Sequence, residues 1–360
     1  MVTQETDLFH RRIVPIIIIV IVLLGVVFVV LDWGEIQKVL GQASWKPLPF
    51  AIFTTLISYF CISYSFGRVS KLLGIKMRLR DLTSVGFVTT VLNHVLTSGG
   101  AAGYSVRFML MNRHGVSMKD VLSASILHYY LTSLVMIAML PVGIIYLILH
   151  ASISQVASLI LTIIAILILA VAFFATSLIF RETLRRKLLR SLIKPVQRIL
   201  HRDIEETLER FDDTMTRSIR DMREHPRNLI IIMALVVIDW ATSAITLWFC
   251  FRSLNTTISP GELISGFAIG IMAGVISLIP GGLGVQEGSM AGIFALLGVS
   301  FQRAVLASIL FRAIYLMTPY AISLAFYWRL LRIRKEDLVP VDIEVEHAHI
   351  DTESRISSHN

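Results

Sequence analysis

Four ionisable side chains stand inside otherwise apolar runs of this 360-residue sequence, and they define the chemistry open to it. Arg107 follows a Gly99-Gly100 pair and Glu287 follows a Gly281-Gly282 pair. Asp239 lies in the middle of 228–252, and Arg312 lies within 304–331. A charge at the centre of a bilayer costs roughly 2.5–3.5 kcal/mol on the insertion scale, so such residues pair with one another or line a path for a polar solute. Arginine presents planar, multidentate donors suited to phosphate, where lysine supplies only a point charge. A helix that starts after a Gly-Gly break also points free N–H groups and a positive dipole end at an anion. The expected anion seat is therefore Arg107 with Asn93, Gly99, Gly100, Gly281 and Gly282 at the two breaks. Glu287 is expected to face a cationic group or to pair with an arginine, and Asp239 and Arg312 to line or gate a cavity. Structural salt bridging is the competing reading of all four charges. His94 and His128 are expected to be satisfied within the core.

Other chemistries find little support. Cys61 and Cys250 fall inside apolar runs, which points to packing rather than a disulfide or a metal. Gly282-Leu283-Gly284 followed by Gly288 is not a nucleotide loop, because no strand precedes it and no Lys-Ser/Thr follows. No catalytic residue, metal, cofactor or nucleic-acid partner is expected.

The elements that hold these residues are membrane helices. The chain is 55% hydrophobic and 16% charged, with a mean hydropathy of +0.73, whereas soluble domains carry nearer a quarter charged residues. Runs of spanning length occur at about 13–31, 47–67, 121–149, 152–180, 228–252 and 304–331. The first run is too long for a signal-peptide core, and Asp32-Trp33 replaces a small-residue cleavage site, so it is read as retained. Segments 82–112 and 262–297 are apolar but interrupted by Gly-Gly, and each is expected to return the chain to the side it came from. In the second, Gly266, Gly270 and Gly274 on the first arm and Gly284, Gly288 and Gly292 on the second predict flat ridges that pack closely.

The two broken segments belong to an internal repeat. Gly99-Gly100, Gly115-Val116-Ser117 and Ala124-Ser125-Ile126-Leu127 recur as Gly281-Gly282, Gly298-Val299-Ser300 and Ala307-Ser308-Ile309-Leu310. Charge sets their orientation. With the N-terminus inside, only Lys38, Lys46, Arg252, Arg303 and Arg312 of 33 basic residues fall in outer loops or the adjoining half-membrane. The hairpin at 82–112 then enters from the cytoplasm and the one at 262–297 from outside. Inverted repeats with broken helices meeting near the midplane are a recurring geometry of secondary transporters.

The fold expected is thus an all-α polytopic membrane protein in the inner (cytoplasmic) cell membrane, with both termini cytoplasmic. It has about six full spans and two re-entrant, Gly-Gly-broken hairpins in an inverted repeat. Residues 1–335 form the transmembrane domain, with repeat A at about 45–149 and repeat B at about 228–332. The linker 181–227 carries a stripe from Leu184 to Met222 that suits an amphipathic cytoplasmic helix or helix pair. Residues 336–360 are polar and are expected to be disordered.

At these residues the chain resembles a known family. Pro280-Gly281-Gly282-Leu283-Gly284-Val285-Gln286-Glu287-Gly288, Gly298-Val299-Ser300 and Leu310-Phe311-Arg312 resemble the transmembrane family of the lysylphosphatidylglycerol synthase/flippase. The stretch from Asn93 through Gly100 to Arg107 and Gly115 resembles that family's earlier motif. It departs from it by Thr97-Ser98-Gly99-Gly100, where a Pro-containing turn is often found. The resemblance covers roughly 10–335 and implies a flippase-like fold that moves a polar or anionic, in some members aminoacylated, lipid between leaflets. The bifunctional relatives carry a soluble aminoacyl-transferase domain. Only residues 336–360 follow the last span here, so lysyl-lipid synthesis is not expected. The rival readings are a membrane-embedded enzyme acting on a lipid head group and a scaffold subunit. The implied partner is a membrane lipid with a polar head group. A homodimer and a separate lipid-modifying enzyme are protein partners left open.

Overall fold

A computed structural model describes residues 33–95, 101–188, 226–277 and 279–332, with Ser191, Asp212 and Thr216 between them. The expected first span, Gly99 and Gly100, most of the linker and the C-terminal tail lie outside the described residues. Every regular element described is helical: α1 (Trp33–Gly41), α2 (Leu48–Leu72), α3 (Leu79–Val95), α4 (Ala101–Asn112), α5 (Met118–His150), α6 (Gln155–Phe180), α7 (Pro226–Ser253), α8 (Pro260–Ile276), α9 (Val285–Leu296) and α10 (Phe301–Arg332). A 3₁₀ turn, Pro280–Gly282, sits between α8 and α9. The chain is an all-α polytopic membrane protein, with five helices (α2, α5, α6, α7 and α10) long and apolar enough to span.

The remaining helices are too short to cross. α3 and α8 each have 17 residues, and α4 and α9 each have 12. At 1.5 Å per residue these reach roughly 26 and 18 Å, short of the ~30 Å hydrocarbon layer. The order long, 17, 12, long therefore occurs twice, as α2–α5 and α7–α10, with α6 between. Matching turns punctuate both sets. Gly74 (φ 75°) and Asn255 (φ 52°) follow α2 and α7, and Gly115 (φ 74°) and Gly298 (φ 93°) precede α5 and α10.

Packing follows the same exchange. α3 lies against α10 and α8 against α5, α2 touches α10 and α7 touches α5, and the most extensive interface joins α2 to α7. That pair is antiparallel. The backbone N–H of Ser44, just before α2, donates to Ser253 O at the end of α7 at 2.7 Å. Thr54 and Thr246 hydroxyls lie 2.8 Å apart, and at the far end Arg68 Nη2 donates to Asn228 Oδ1 at 2.8 Å. α2 can sit this deep because its buried polar residues are small. Thr55, Ser63 and Ser65 return their hydroxyl protons to carbonyls one turn back, so few polar groups go unpaired. Separate apolar cores hold each half: Phe66, Leu82, Leu110 and Met111 in one, and Phe251, Phe267, Met290 and Phe294 in the other. α6, with Leu159, Ile163, Leu167 and Phe173 exposed, rests chiefly on α5 and turns the rest of its surface to lipid.

One packing expectation needs correction. On α8, the glycines do lie under α9: a Cβ at Gly266 would meet the Phe294 ring at 2.3 Å, one at Gly270 Met290 Cγ at 2.2 Å, and one at Gly274 Gln286 Cβ at 3.0 Å. On α9, Gly288 and Gly292 face open space, with nothing within 4 Å. The hairpin is thus a glycine groove on one arm filled by side chains of the other, because two bare ridges would leave a void that large side chains fill better.

Candidate functional site

A cavity of about 280 Å³ opens where the two halves meet, with walls from α2, α3, α4, α5, α7, α8, α9, α10 and the 280–282 turn. Six predicted site residues line it: Asn93, Arg107, Asp239, Gly281, Gly282 and Arg312. Glu287 is not part of the lining but is ion-paired to Arg312. His94 and His128 also reach the cavity wall.

Arg107 is positioned by α4, whose start is tied to α3. Asn93 Oδ1 accepts the N–H of Gly103 at 3.0 Å, supplying the cap that the first turn of α4 needs. One turn later the Arg107 guanidinium lies 3.9 Å from the centre of the Phe66 ring. Its Nε and Nη2 donate to Thr89 Oγ1 at 3.3 and 3.1 Å, and its Nη1 donates to Ser125 Oγ at 3.1 Å. Those hydroxyls are themselves oriented, since Thr89 donates to Val85 O and Ser125 to Val121 O. All of these partners are neutral. Arg107 is 5% exposed, and no described carboxylate pairs with it. A guanidinium has five N–H donors, so these hydrogen bonds leave two for an anion.

The second hairpin is closed differently. Gly281 (φ 69°), Gly282 (φ 59°) and Gly284 (φ 78°) turn the chain through left-handed conformations that other residues adopt at a cost. Glu287 Oε2 accepts the Gly284 N–H at 2.8 Å and caps α9. Its Oε1 is 2.6 Å from Arg312 Nη1, and Arg312 Nη2 donates to Gly281 O. Gln286 Oε1 adds a longer contact to Arg312 at 3.4 Å. Glu287 and Arg312 therefore pair with each other and lock the turn. The sequence allowed Glu287 either an arginine or a cationic ligand, and the structure gives it the arginine.

Asp239 sits in a hydroxyl cluster. Ser58 donates to Asp239 Oδ1 at 2.5 Å, and Ser58 Oγ lies 3.0 Å from both Ser243 Oγ and Tyr315 OH. His128 is satisfied by Ser65 Oγ at 2.9 Å, and His94 Nδ1 lies 2.9 Å from Thr90 O. Both cysteines are buried and free. Thr89, Ser125, Ser58, Ser243 and Tyr315 were not expected as site residues from sequence, since hydroxyls in apolar runs carry no distinctive polarity; Ser125 stood out only as part of the repeat. The sequence motifs repeat at offsets of 182 and 183 positions, so they do not by themselves pair Ser58 with Asp239, which is 181 positions away.

These features define a multi-pass, all-α membrane protein with a charged cavity between two sets of broken helices. The family follows from comparison: the chain belongs to the lysylphosphatidylglycerol synthase TM region family, whose model covers residues 13–323. It is 24% identical over 310 residues to a UPF0104 membrane protein of Methanothermobacter thermautotrophicus, covering 83% of this chain and 90% of that one. Another match to a UPF0104 membrane protein of the same organism is 26% identical over 125 residues, 35% of this chain and 34% of the relative. The phosphatidylglycerol lysyltransferase of Staphylococcus aureus is 31% identical over 87 residues, 24% of this chain and only 10% of that enzyme.

Proposed function

We propose that this protein is a lipid transporter of the flippase type, moving a polar or anionic lipid, aminoacylated forms included, between leaflets. One observation carries the reading: Arg107 is a buried, cavity-lining arginine held by neutral hydroxyls, with donors to spare and no described counter-ion. A phosphate supplies the charge that such a site lacks. The relative named as a phosphatidylglycerol lysyltransferase points to the same class of ligand. No bond-making step is assigned to this chain, and a modified lipid would come from a separate enzyme.

The two halves act as inverted repeats, with both termini and the linker cytoplasmic. The antiparallel α2–α7 pair and the exchange of packing partners support this reading, as does the clustering of Lys and Arg in the segments expected on one side. Cysteines placed at Ser191 and Thr256 should label from opposite faces, and labelling of both from one face contradicts the inversion. The transport reading is tested in proteoliposomes with fluorescent phosphatidylglycerol and a membrane-impermeant quencher. The parent should expose inner-leaflet probe to the quencher, and Arg107→Ala should not. No exposure above protein-free vesicles by the parent contradicts it.

A further inference from the structure

Asp239, the carboxylate that lines the cavity, has no described cation beside it, just as Arg107 has no described anion. It stands halfway along α7, is 5% exposed, and its described hydrogen bond is to Ser58. Ser243 donates to Tyr315 OH at 3.1 Å, so hydroxyls from α2, α7 and α10 form a network that reaches the carboxyl group through Ser58. Among the described residues no Lys, Arg or His is in hydrogen-bond or ion-pair contact with it. The repeat explains the location. Gly74 and Asn255, the left-handed residues after α2 and α7, are as far apart in sequence as Ser58 and Asp239, at 181 positions. Ser58 and Asp239 are therefore equivalent positions in the two copies, one neutral and one acidic, that touch where α2 and α7 cross.

We infer that Asp239 is the proton site of this transporter, taking up a proton when an anionic head group binds at Arg107; the inference rests on the transport reading above. The hydroxyl cluster accepts either state of the acid. An ionised carboxylate receives the Ser58 proton, whereas a neutral acid donates to the Ser58 oxygen while Ser243 and Tyr315 rotate their hydroxyls. No bond other than O–H forms or breaks, and the proton comes from cavity water and returns to water on the other side. The oxygens are 2.5–3.1 Å apart, spacing bridged by protons rather than spread around a metal ion.

Coupling follows from the charges that share the cavity. The titratable groups that face the cavity or the Asp239 cluster are Tyr59 and Cys61 on α2, His94 on α3, Arg107 on α4, His128 and Tyr129 on α5, and Arg312 and Tyr315 on α10; α8 brings none to the cavity wall. Arg312 is already neutralised by Glu287. Arg107 lines the same cavity with no described carboxylate partner, and in this proposal its positive field favours an ionised Asp239. A phosphate at Arg107 cancels that field, so the carboxylate in the membrane interior gains by taking a proton. Linkage makes the effect reciprocal: a protonated Asp239 favours the anion.

The test is proton uptake on adding phosphatidylglycerol to the parent protein in weakly buffered detergent solution. The parent should take up protons, and Asp239→Asn should bind the same lipid with no uptake. Ser58→Ala keeps the acid and should retain uptake with a shifted pH midpoint, which separates a lost proton site from a misfolded protein. Uptake by Asp239→Asn equal to the parent overturns the inference, and so does lipid movement in proteoliposomes driven by a sodium gradient at fixed pH. If the parent binds no phosphatidylglycerol, the lipid reading fails by itself. Infrared difference spectra then decide on Asp239. A carboxylic-acid C=O band that Asp239→Asn removes upholds the proton site, and no such band at any pH overturns it.

Discussion

The two broken hairpins are built to the same lengths and closed by opposite means. In the second, α8–α9, a run of left-handed glycines is locked by Arg312 and Glu287, which pair with each other and bond one backbone carbonyl and one backbone N–H, while Arg312 Nε stays without a described partner. In the first, α3–α4, a neutral amide from Asn93 caps the half-helix, and the arginine that follows is held by hydroxyls. The second hairpin uses its charges internally, while the first leaves one charge open to the cavity. Sequence distinctiveness and ligand chemistry therefore separate. The motif easiest to recognise, Pro280 to Gly288, pairs its charges internally, and the weaker motif around Arg107 carries the group to which the proposed function assigns binding.

This contrast can be broken at several points. The largest effect is expected from Arg312→Ala, which strands the Glu287 carboxylate, 13% exposed in the intact pair. Removing one partner of a buried pair costs about 3–5 kcal/mol, read as a drop in thermal stability in detergent. Adding Glu287→Gln to that variant should restore most of it, and no restoration would show that the pair is not what closes the turn. Next in size, Gly270→Val drives a side chain into Met290 and should cost about 1–3 kcal/mol. Gly292→Ala, facing open space on the other arm, should instead be neutral or gain up to about 1 kcal/mol from helix propensity. Equal losses at both positions contradict the groove-and-filler packing. A smaller loss than at Gly270 is expected at Asn93→Ala, where loss of the α4 cap costs about 0.5–2 kcal/mol. Differential scanning fluorimetry checks it, and an unchanged transition would mean that α4 does not depend on that amide.

Much of the frame was readable because long apolar runs have one solution in a membrane. The run at 228–252 became α7 at 226–253, and 304–331 became α10 at 301–332. The run at 47–67 ended too early, since the helix continues through Arg68 to Leu72 after hydrophobicity stops; backbone hydrogen bonding does not require apolar side chains. The helices at 79–95 and 101–112 flank the expected break at Gly99-Gly100, which itself lies outside the described residues. Side-chain pairing was less legible. Glu287 with Arg312 spans 25 residues, and Ser58 with Asp239 spans 181. Such contacts are set by helix packing rather than by local pattern. The glycines of α9 misled because spacing by four describes a stripe without saying which way it faces.

The central claim is that Arg107, unlike Arg312, is free to hold an anionic head group. Native mass spectrometry of purified parent and Arg107→Lys, each titrated with phosphatidylglycerol, tests it directly. A charge-assisted hydrogen bond contributes about 1.5–3 kcal/mol and about 1.4 kcal/mol is tenfold in affinity, so lysine should weaken binding by about tenfold or more with the fold intact. If Arg107→Lys binds phosphatidylglycerol as the parent does, Arg107 is a packing residue and the first hairpin is not the binding site.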